Sequence, residues 1–373
     1  MKKILFLTGT RADFGKIKSL IQILEKQQGF EVFVFVTGMH LQKEYGYTIL
    51  EIERCDFKNI HQFENHTHET TMDLTLARTI EGLSAYVKKI NPDMIIVHGD
   101  RVETLAGAIV GSLNNVLVAH IEGGEISGTV DELIRHSVSK LSHIHFVSNE
   151  DAAKRLMQMG EVKSSIYSIG SPDIDIMFSD KLPALATVKE YYEINYDTYA
   201  IVMFHPVTTE AKEMEQHAAN FVKSLLKDSH NYVVIYPNND MGSQVILEAY
   251  KKLKDNPRFR VFPSLRFEFF LTLLKNCQFI IGNSSAGIRE APYYGIPIIN
   301  IGTRQLNRAI HTDIVNVDYS SASIDFALEK IDNHQVHKTN ADFGQGNSAQ
   351  LFLESLEGKN IWEVNHQKQF RDT

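Results

Sequence analysis

Cysteine is nearly absent: Cys55 and Cys277 are the only two in 373 residues. That excludes a disulfide framework and a cysteine-rich metal site. An excess of positive charge is also missing, because 38 Lys and Arg face 46 Asp and Glu, for a formal net charge of −8. No cationic field exists to neutralise a polynucleotide backbone, so nucleic acid is not expected as a partner, while a local basic pocket for a small phosphate stays open. No apolar run approaches the roughly 20 residues of a membrane-spanning helix, so no membrane partner is expected. The opening MKKILFLTGTRADFG lacks a long apolar region and a small-residue cleavage site, and reads as a first strand instead of a signal peptide. What remains is a chain with 43% hydrophobic and 23% charged residues. It is long enough for two globular domains with sizeable cores, and a cytoplasmic, soluble protein is expected.

Short apolar runs alternate with longer helical patterns. Strands are predicted over residues 3–8, 31–36, 94–98, 116–120, 144–148 and 166–172, with helices over 17–26, 74–90, 102–113 and 133–141 between them. Residues 181–199 are polar and read as an irregular hinge. The pattern then restarts, with strands over 199–204, 232–236, 259–262, 279–281 and 297–301 and helices near 210–227, 244–254, 267–275 and 286–294. This alternation predicts two Rossmann-like α/β halves with parallel sheets. The expected division is 1–178, a hinge at 179–198, and 199–345, with a C-terminal helix within 346–373 returning to the first half. In open α/β sheets ligands bind beyond the carboxyl ends of the strands, so polar residues there carry most weight, and two facing halves would place that zone in a cleft.

Four constellations occupy such ends. Thr8-Gly9-Thr10-Arg11, continuing to Lys16, follows the first strand. Its glycines permit a tight turn, and Arg11 and Lys16 supply charge for an anion at the helix start, or the segment is a plain turn with solvated charges. His98-Gly99-Asp100-Arg101 offers a carboxylate near a ligand or, alternatively, an Asp N-cap. His120-Ile121-Glu122-Gly123-Gly124 places a carboxylate beside two glycines, a candidate acid or base. Asp131 follows in a polar stretch, where it pairs with Arg135 four residues on or simply charges a helix start. Asp100, Glu122 and Asp131 fall at the same edge of one sheet, and carboxylates gathered in one cleft can hold different protonation states.

The fourth constellation lies in the second half: His205-Pro206, Pro237-Asn238-Asn239-Asp240 and Gly282-Asn283-Ser284-Ser285-Ala286-Gly287-Ile288-Arg289-Glu290. Ser284 and Ser285 at a helix start suit a phosphate, cap the helix, or do both. Glu290 suits a ribose diol, and Arg304 is a further strand-end cation. His66-Thr67-His68-Glu69 lacks the H-E-x-x-H spacing of a helical zinc site, so no metal is expected there. His143 and His145 are expected to be structural.

Taken together, TGTRADFGK (8–16), TGMH (37–40), HGDRVET (98–104), HIEGGEISGTVDELIRHSVSKLSH (120–143), FHPVT (204–208), GNSSAGIRE (282–290) and IGTRQ (301–305) resemble the hydrolysing UDP-N-acetylglucosamine 2-epimerases. These enzymes serve bacterial sialic acid synthesis and form the epimerase half of the animal bifunctional enzyme. The resemblance implies a GT-B fold, with two Rossmann-like domains around a nucleotide-sugar cleft. It implies Asp100, Glu122 and Asp131 as catalytic carboxylates, joined by His205. It implies Arg11, Arg101, Asn238, Ser284, Ser285, Gly287, Glu290 and Arg304 at the UDP-sugar, with Lys16 in a basic slot and the uracil near Phe262. The implied partner is a UDP-sugar, in a homo-oligomer (dimer or tetramer), with no cofactor and no metal.

The implied reaction is elimination of UDP through a 2-acetamidoglucal-like intermediate, then hydration to N-acetylmannosamine. One alternative is the same chemistry on UDP-2,4-diacetamido-2,4,6-trideoxyglucose, for legionaminic acid. Others are a non-hydrolysing epimerase, whose first loop usually reads GTRPE and whose later motif is TGQH, a GT-B glycosyltransferase, and a sugar-nucleotide-binding sensor without turnover.

Overall fold

The computed structural model describes residues 1–66, 71–127, 130–179, 182–305, 314–334 and 343–369. The chain divides into two units. One comprises Met1–Glu125, Asp131–Asp180 and Ala341–Thr373; the other comprises Ile126–Val130 and Lys181–Asn340.

In the first unit, seven strands run parallel: β1 (Lys2–Thr8), β2 (Phe30–Val36), β3 (Ile60–Gln62), β4 (Met94–His98), β5 (Leu117–Ile121), β6 (Ile144–Val147) and β7 (Ile166–Ser168). Their order is β3-β2-β1-β4-β5-β6-β7. The second unit repeats the plan with β8 (Ala200–Met203), β9 (Tyr232–Ile235), β10 (Phe259–Phe262), β11 (Ile280–Gly282), β12 (Ile298–Ile301) and β13 (Ile314–Val317), ordered β10-β9-β8-β11-β12-β13. In each sheet the winding reverses beside the first strand, between β1 and β4 and between β8 and β11. Loops leaving those neighbours turn to opposite faces and open a crevice at the carboxyl edge.

Central strands such as β4 and β5 are buried throughout, which explains their unbroken apolar runs. The helix Arg11–Glu25 begins with a capping box: Thr10 accepts from the Asp13 N–H, and Asp13 answers to the Thr10 N–H. Its apolar face, Phe14, Ile17, Leu20, Ile21 and Leu24, enters the core.

Three expectations need correction. The stretch read as an irregular hinge contains the helix Leu185–Tyr191, anchored by buried Val188 and by Tyr191 and Tyr192 against Phe269. The single helix expected near 286–294 is two short ones, Ala286–Arg289 and Ala291–Tyr294. Pro292 explains the break, since it has no N–H and its ring crowds the carbonyl four residues back. The edge strands β3 and β13 and the helix Ser321–Ile331 were not anticipated at all.

The C-terminal helix, Ser348–Glu357, packs in the core of the first unit. Asp175 accepts hydrogen bonds from the Ser348 and Ala349 N–H groups, both at 2.8 Å, and so caps it. Phe352 is fully buried against Phe146, ring centroids 4.9 Å apart, and Phe6, 6.3 Å apart. Farther on, Lys368 donates to the carbonyls of Lys140 at 2.9 Å and Ser142 at 2.6 Å, at the end of the helix Val130–Leu141. It also pairs with Glu161 at 2.6 Å. Among the described residues, no helix is long and apolar enough to cross a membrane.

Burial alone would raise the Glu161 carboxyl, but hydrogen bonds from His145, Lys140 and Lys368 outweigh it and bring the pKa down to about 2. Burial pushes His145 downward, and drives His40 and His120 to about 3. A depressed carboxylate contributes stability above its unfolded pKa. A depressed imidazole is neutral when folded, so the unfolded chain binds the proton first. Both terms are lost as pH falls: the histidines from about 6.5 downward, Glu161 from about 4.5 toward 2.

Three outcomes follow for stability. Thermal melts are expected to hold level above about pH 7 and to decline below about 6.5; a midpoint unchanged down to pH 5 would contradict buried neutral histidines. Glu161→Gln is expected to lose about 2–4 kcal/mol at pH 7, read from urea unfolding, with the difference from wild type shrinking in acid. Phe352→Ala should destabilise the first unit by about 3–5 kcal/mol in the same assay, whereas a loss under about 1 kcal/mol would mean the C-terminal helix does not complete that core.

Candidate active site

The loop after β1 is organised by Asp13. Its carboxylate accepts the Thr8 hydroxyl, the Gly9 N–H at 3.0 Å and the Thr10 N–H at 3.3 Å. Burial raises its pKa against those bonds. His40 is buried beside it, 3.0 Å from the Thr8 hydroxyl and 2.7 Å from that of Thr48. Burial, followed by the charge of Arg11, keeps this imidazole neutral. Arg11 donates to Glu51 at 2.5 Å.

After β4, Gly99 adopts a positive φ of 75°, and the N-cap of the helix Val102–Leu113 is Arg101. Asp100 is therefore not the cap, and its carboxylate is spent elsewhere, on Arg135. Arg101 Nε lies 3.4 Å from Glu103, a buried carboxylate. After β5, Glu122 takes a left-handed φ of 63°, costly for a residue with a side chain. Two hydrogen bonds hold it there: its N–H donates to Phe146 O at 2.9 Å, and its carbonyl accepts from Arg135 Nη1 at 2.7 Å.

Arg135 is 1% exposed, and its other nitrogen reaches Asp100. One guanidinium thus ties the ends of β4 and β5 together. The structure gives Arg135 the Asp100 carboxylate and the Glu122 carbonyl as partners. Asp131 sits half-buried in the first turn of the same helix, Val130–Leu141. Residues 128 and 129, within the motif 120–143, lie outside the described residues.

Glu122 is 3% exposed, and its side chain is crowded by polar groups. Oε1 accepts the Ser171 hydroxyl and stands 3.5 Å from Lys16 Nζ, while Oε2 is 3.2 Å from His98 Nε2. Lys16, expected among the anion-binding cations, projects from the helix Arg11–Glu25 toward the carboxylates and is 3.1 Å from Asp173. Neither Ser171 nor Asp173 was singled out from sequence. Their signal is Ser-Pro-Asp, which opens the helix Pro172–Met177 where the strand expected over 166–172 has already ended at Ser168.

In the second unit, Asn283 clamps the two central loops. It accepts from the His205 N–H at 2.6 Å and returns a bond from Nδ2 to the His205 carbonyl at 2.9 Å. A side chain at Gly282, φ 140°, would strike the Met203 carbonyl 2.0 Å away, so only glycine lets β8 and β11 end this close. His205 Nδ1 accepts from the Asn238 N–H at 3.0 Å, and Asn238 donates to Asp240 at 2.5 Å. Ser284 accepts from the Ala286 N–H at 3.3 Å, which is a local cap, and Ser285 is the N-cap residue. Arg304 donates to the Asn283 carbonyl at 3.4 Å. Glu290 is buried, and Gly287 faces Ile298, which a Cβ would meet at 3.3 Å, so its smallness serves helix-on-strand packing. Phe262 packs against Tyr192, with the Arg260 guanidinium 5.5 Å from its ring.

The structure thus gathers Asp100, Glu122 and Lys16 in the first unit, and His205, Asn238, Ser284 and Arg304 around Asn283 in the second. Residues 67–69 of the His66–Glu69 stretch lie outside the described residues. Among the described residues, no group of three or more His, Cys, Asp or Glu is placed to hold a metal. A buried carboxylate contacted by an ammonium, an imidazole and a hydroxyl is equipped for proton transfer.

Comparison with known proteins bears on this arrangement. Residues 22–357 match the family model described as UDP-N-acetylglucosamine 2-epimerase. The chain is 48% identical to the UDP-N-acetylglucosamine 2-epimerase of Neisseria meningitidis serogroup B, over all of this chain and 99% of that one. It is 31% identical to the UDP-N,N'-diacetylbacillosamine 2-epimerase (hydrolyzing) of Legionella pneumophila, over 95% of this chain and 96% of that one. The GT-B-like fold is shared with the Methanocaldococcus jannaschii UDP-GlcNAc 2-epimerase solved with UDP-GlcNAc and UDP, at a TM-score of 0.80 and 21% identity over 96% of this chain and 99% of that one. With the family model spanning most of its length, the chain belongs to the UDP-N-acetylglucosamine 2-epimerase family.

Proposed function

We propose that this protein is a hydrolysing 2-epimerase that converts UDP-N-acetylglucosamine and water into N-acetylmannosamine and UDP. The observation that carries the proposal is the setting of Glu122: a buried carboxylate with Lys16 and Ser171 on one oxygen and His98 on the other, one residue chain away from Asp100 through Arg135.

The reaction needs this kind of site. The proton on C2 of the sugar is weakly acidic, so its removal as UDP leaves C1 demands a positioned base. Elimination yields UDP and a 2-acetamidoglucal. Water then adds across the double bond, its hydroxyl to C1 and a proton to C2 from the opposite face, and C2 ends inverted. Asp100, Glu122 and Asp131 share these proton movements. Arg11, Arg101 and Arg304 supply charge to the diphosphate, with His205, Asn238, Ser284 and Ser285 as hydrogen-bonding partners. Phe262 and Glu290 face the uridine.

The first loop supports the hydrolysing form. Asp13 stands where the non-hydrolysing enzymes usually read Glu, and its short carboxylate accepts from the Thr8 hydroxyl and from the Gly9 and Thr10 N–H groups of the turn. The relative from Legionella pneumophila, named for a hydrolysing reaction on a diacetamido sugar, supports a second reading in which the mechanism is unchanged and the substrate is UDP-2,4-diacetamido-2,4,6-trideoxyglucose.

Proton NMR in D₂O with each UDP-sugar tests both readings. The expected products are UDP and free N-acetylmannosamine carrying deuterium at C2; UDP-N-acetylmannosamine as the product would overturn hydrolysis, and turnover of the diacetamido sugar alone would select the second reading. Asp100→Asn, Glu122→Gln and Asp131→Asn are each expected to keep UDP affinity within about threefold and to lower kcat by about a hundredfold or more. Wild-type kcat in any one of them removes that residue from the mechanism.

A further inference from the structure

The ammonium of Lys16 stands between two buried carboxylates, 3.1 Å from Asp173 Oδ2 and 3.5 Å from Glu122 Oε1. Asp173 is 1% exposed, so it has no solvent role. A lysine is a compact charge on a flexible stem, and with one carboxylate nearby it would settle on that one. Here Asp173 draws it to the far side and leaves Glu122 the longer contact.

Asp173 is well placed to do this. Its turn is fixed where the Ser171 N–H donates to Phe343 O at 2.6 Å, and Asp173 Oδ1 accepts from the Ile174 N–H at 3.1 Å. The same turn reaches Glu122 directly, through the Ser171 hydroxyl. Three consecutive residues, Ser171-Pro172-Asp173, therefore act on Glu122 twice, once by hydrogen bond and once through Lys16. His98, at Oε2, and Arg135, at the backbone carbonyl, also face Glu122.

We propose that Asp173 is a positioning residue: by holding Lys16 between two carboxylates it keeps the ammonium from pairing fully with Glu122, which stays able to take up and release a proton. A full ion pair would favour the carboxylate throughout and impede the half of the cycle in which Glu122 must carry a proton. The inference rests on the epimerase reading above.

A double-mutant cycle tests it, with UDP release as the readout and thermal melting as the check on folding. Asp173→Asn, nearly isosteric, is expected to lower kcat about ten- to a hundredfold while KM and inhibition by UDP stay within about twofold. In a Lys16→Met background, Asp173→Asn should change kcat by less than about twofold, because Asp173 acts only through Lys16. A merely structural role would give losses that multiply. Wild-type kcat in Asp173→Asn, or a further loss beyond about fivefold in the Lys16→Met background, overturns the inference and leaves the epimerase reading standing. A wild-type protein that releases no UDP from either sugar overturns both. Should Asp173→Asn alone melt below the assay temperature, Lys16→Met against Lys16→Met/Asp173→Asn carries the same comparison.

Discussion

Arg135 is the hinge on which the first unit's chemistry turns. A guanidinium withdrawn from water is unfavourable unless its charge and its donors are met. Here one nitrogen meets the Asp100 carboxylate and another the Glu122 carbonyl, so the loops leaving β4 and β5 are set relative to each other by a single side chain. The same bond holds Glu122 in a left-handed conformation it would not choose. Backbone strain of this sort persists only where surrounding contacts outweigh it, and it aims the carboxylate back toward Lys16, His98 and Ser171. The second unit solves its equivalent problem with a neutral group: Asn283 offers an acceptor and a donor to one backbone residue, His205, and no net charge is buried.

Both sheets were legible because parallel strands buried on two faces must be apolar throughout, and such runs stand out from the helices around them. Legibility failed where that reason fails. The strand β3 is three residues long with His61 and Gln62 in it, and β13 carries Asn316. An edge strand of this length leaves no period to read. The helix Leu185–Tyr191 buries little beyond Val188 and is fastened by aromatic contacts to Phe269, a partner far along the chain.

The site divides in the same way. Residues following central strands could be found, since the carboxyl edge is where ligands gather. Their partners could not. Ser171 meets Glu122 across 49 residues, and Asp173 shares Lys16 with it. Asp100 looked equally suited to capping a helix, and only three dimensions show its carboxylate committed to Arg135. Gly287 shows the converse, a position within a recognisable motif whose smallness is also accounted for by contact with Ile298.

The placing of Phe352, Leu353 and Leu356 in one core with Phe6 and Phe146 has a consequence for the order of events during synthesis. On the ribosome, domains generally fold as their sequences emerge. Here the first sheet emerges early but stays uncovered over the patch those three side chains will fill, while the whole of the second unit is made and released. The first unit is thus begun first and closed last. Until the final turns arrive, an apolar surface waits open to water, and any chain cut short before residue 348 would leave the ribosome with that surface permanently bare.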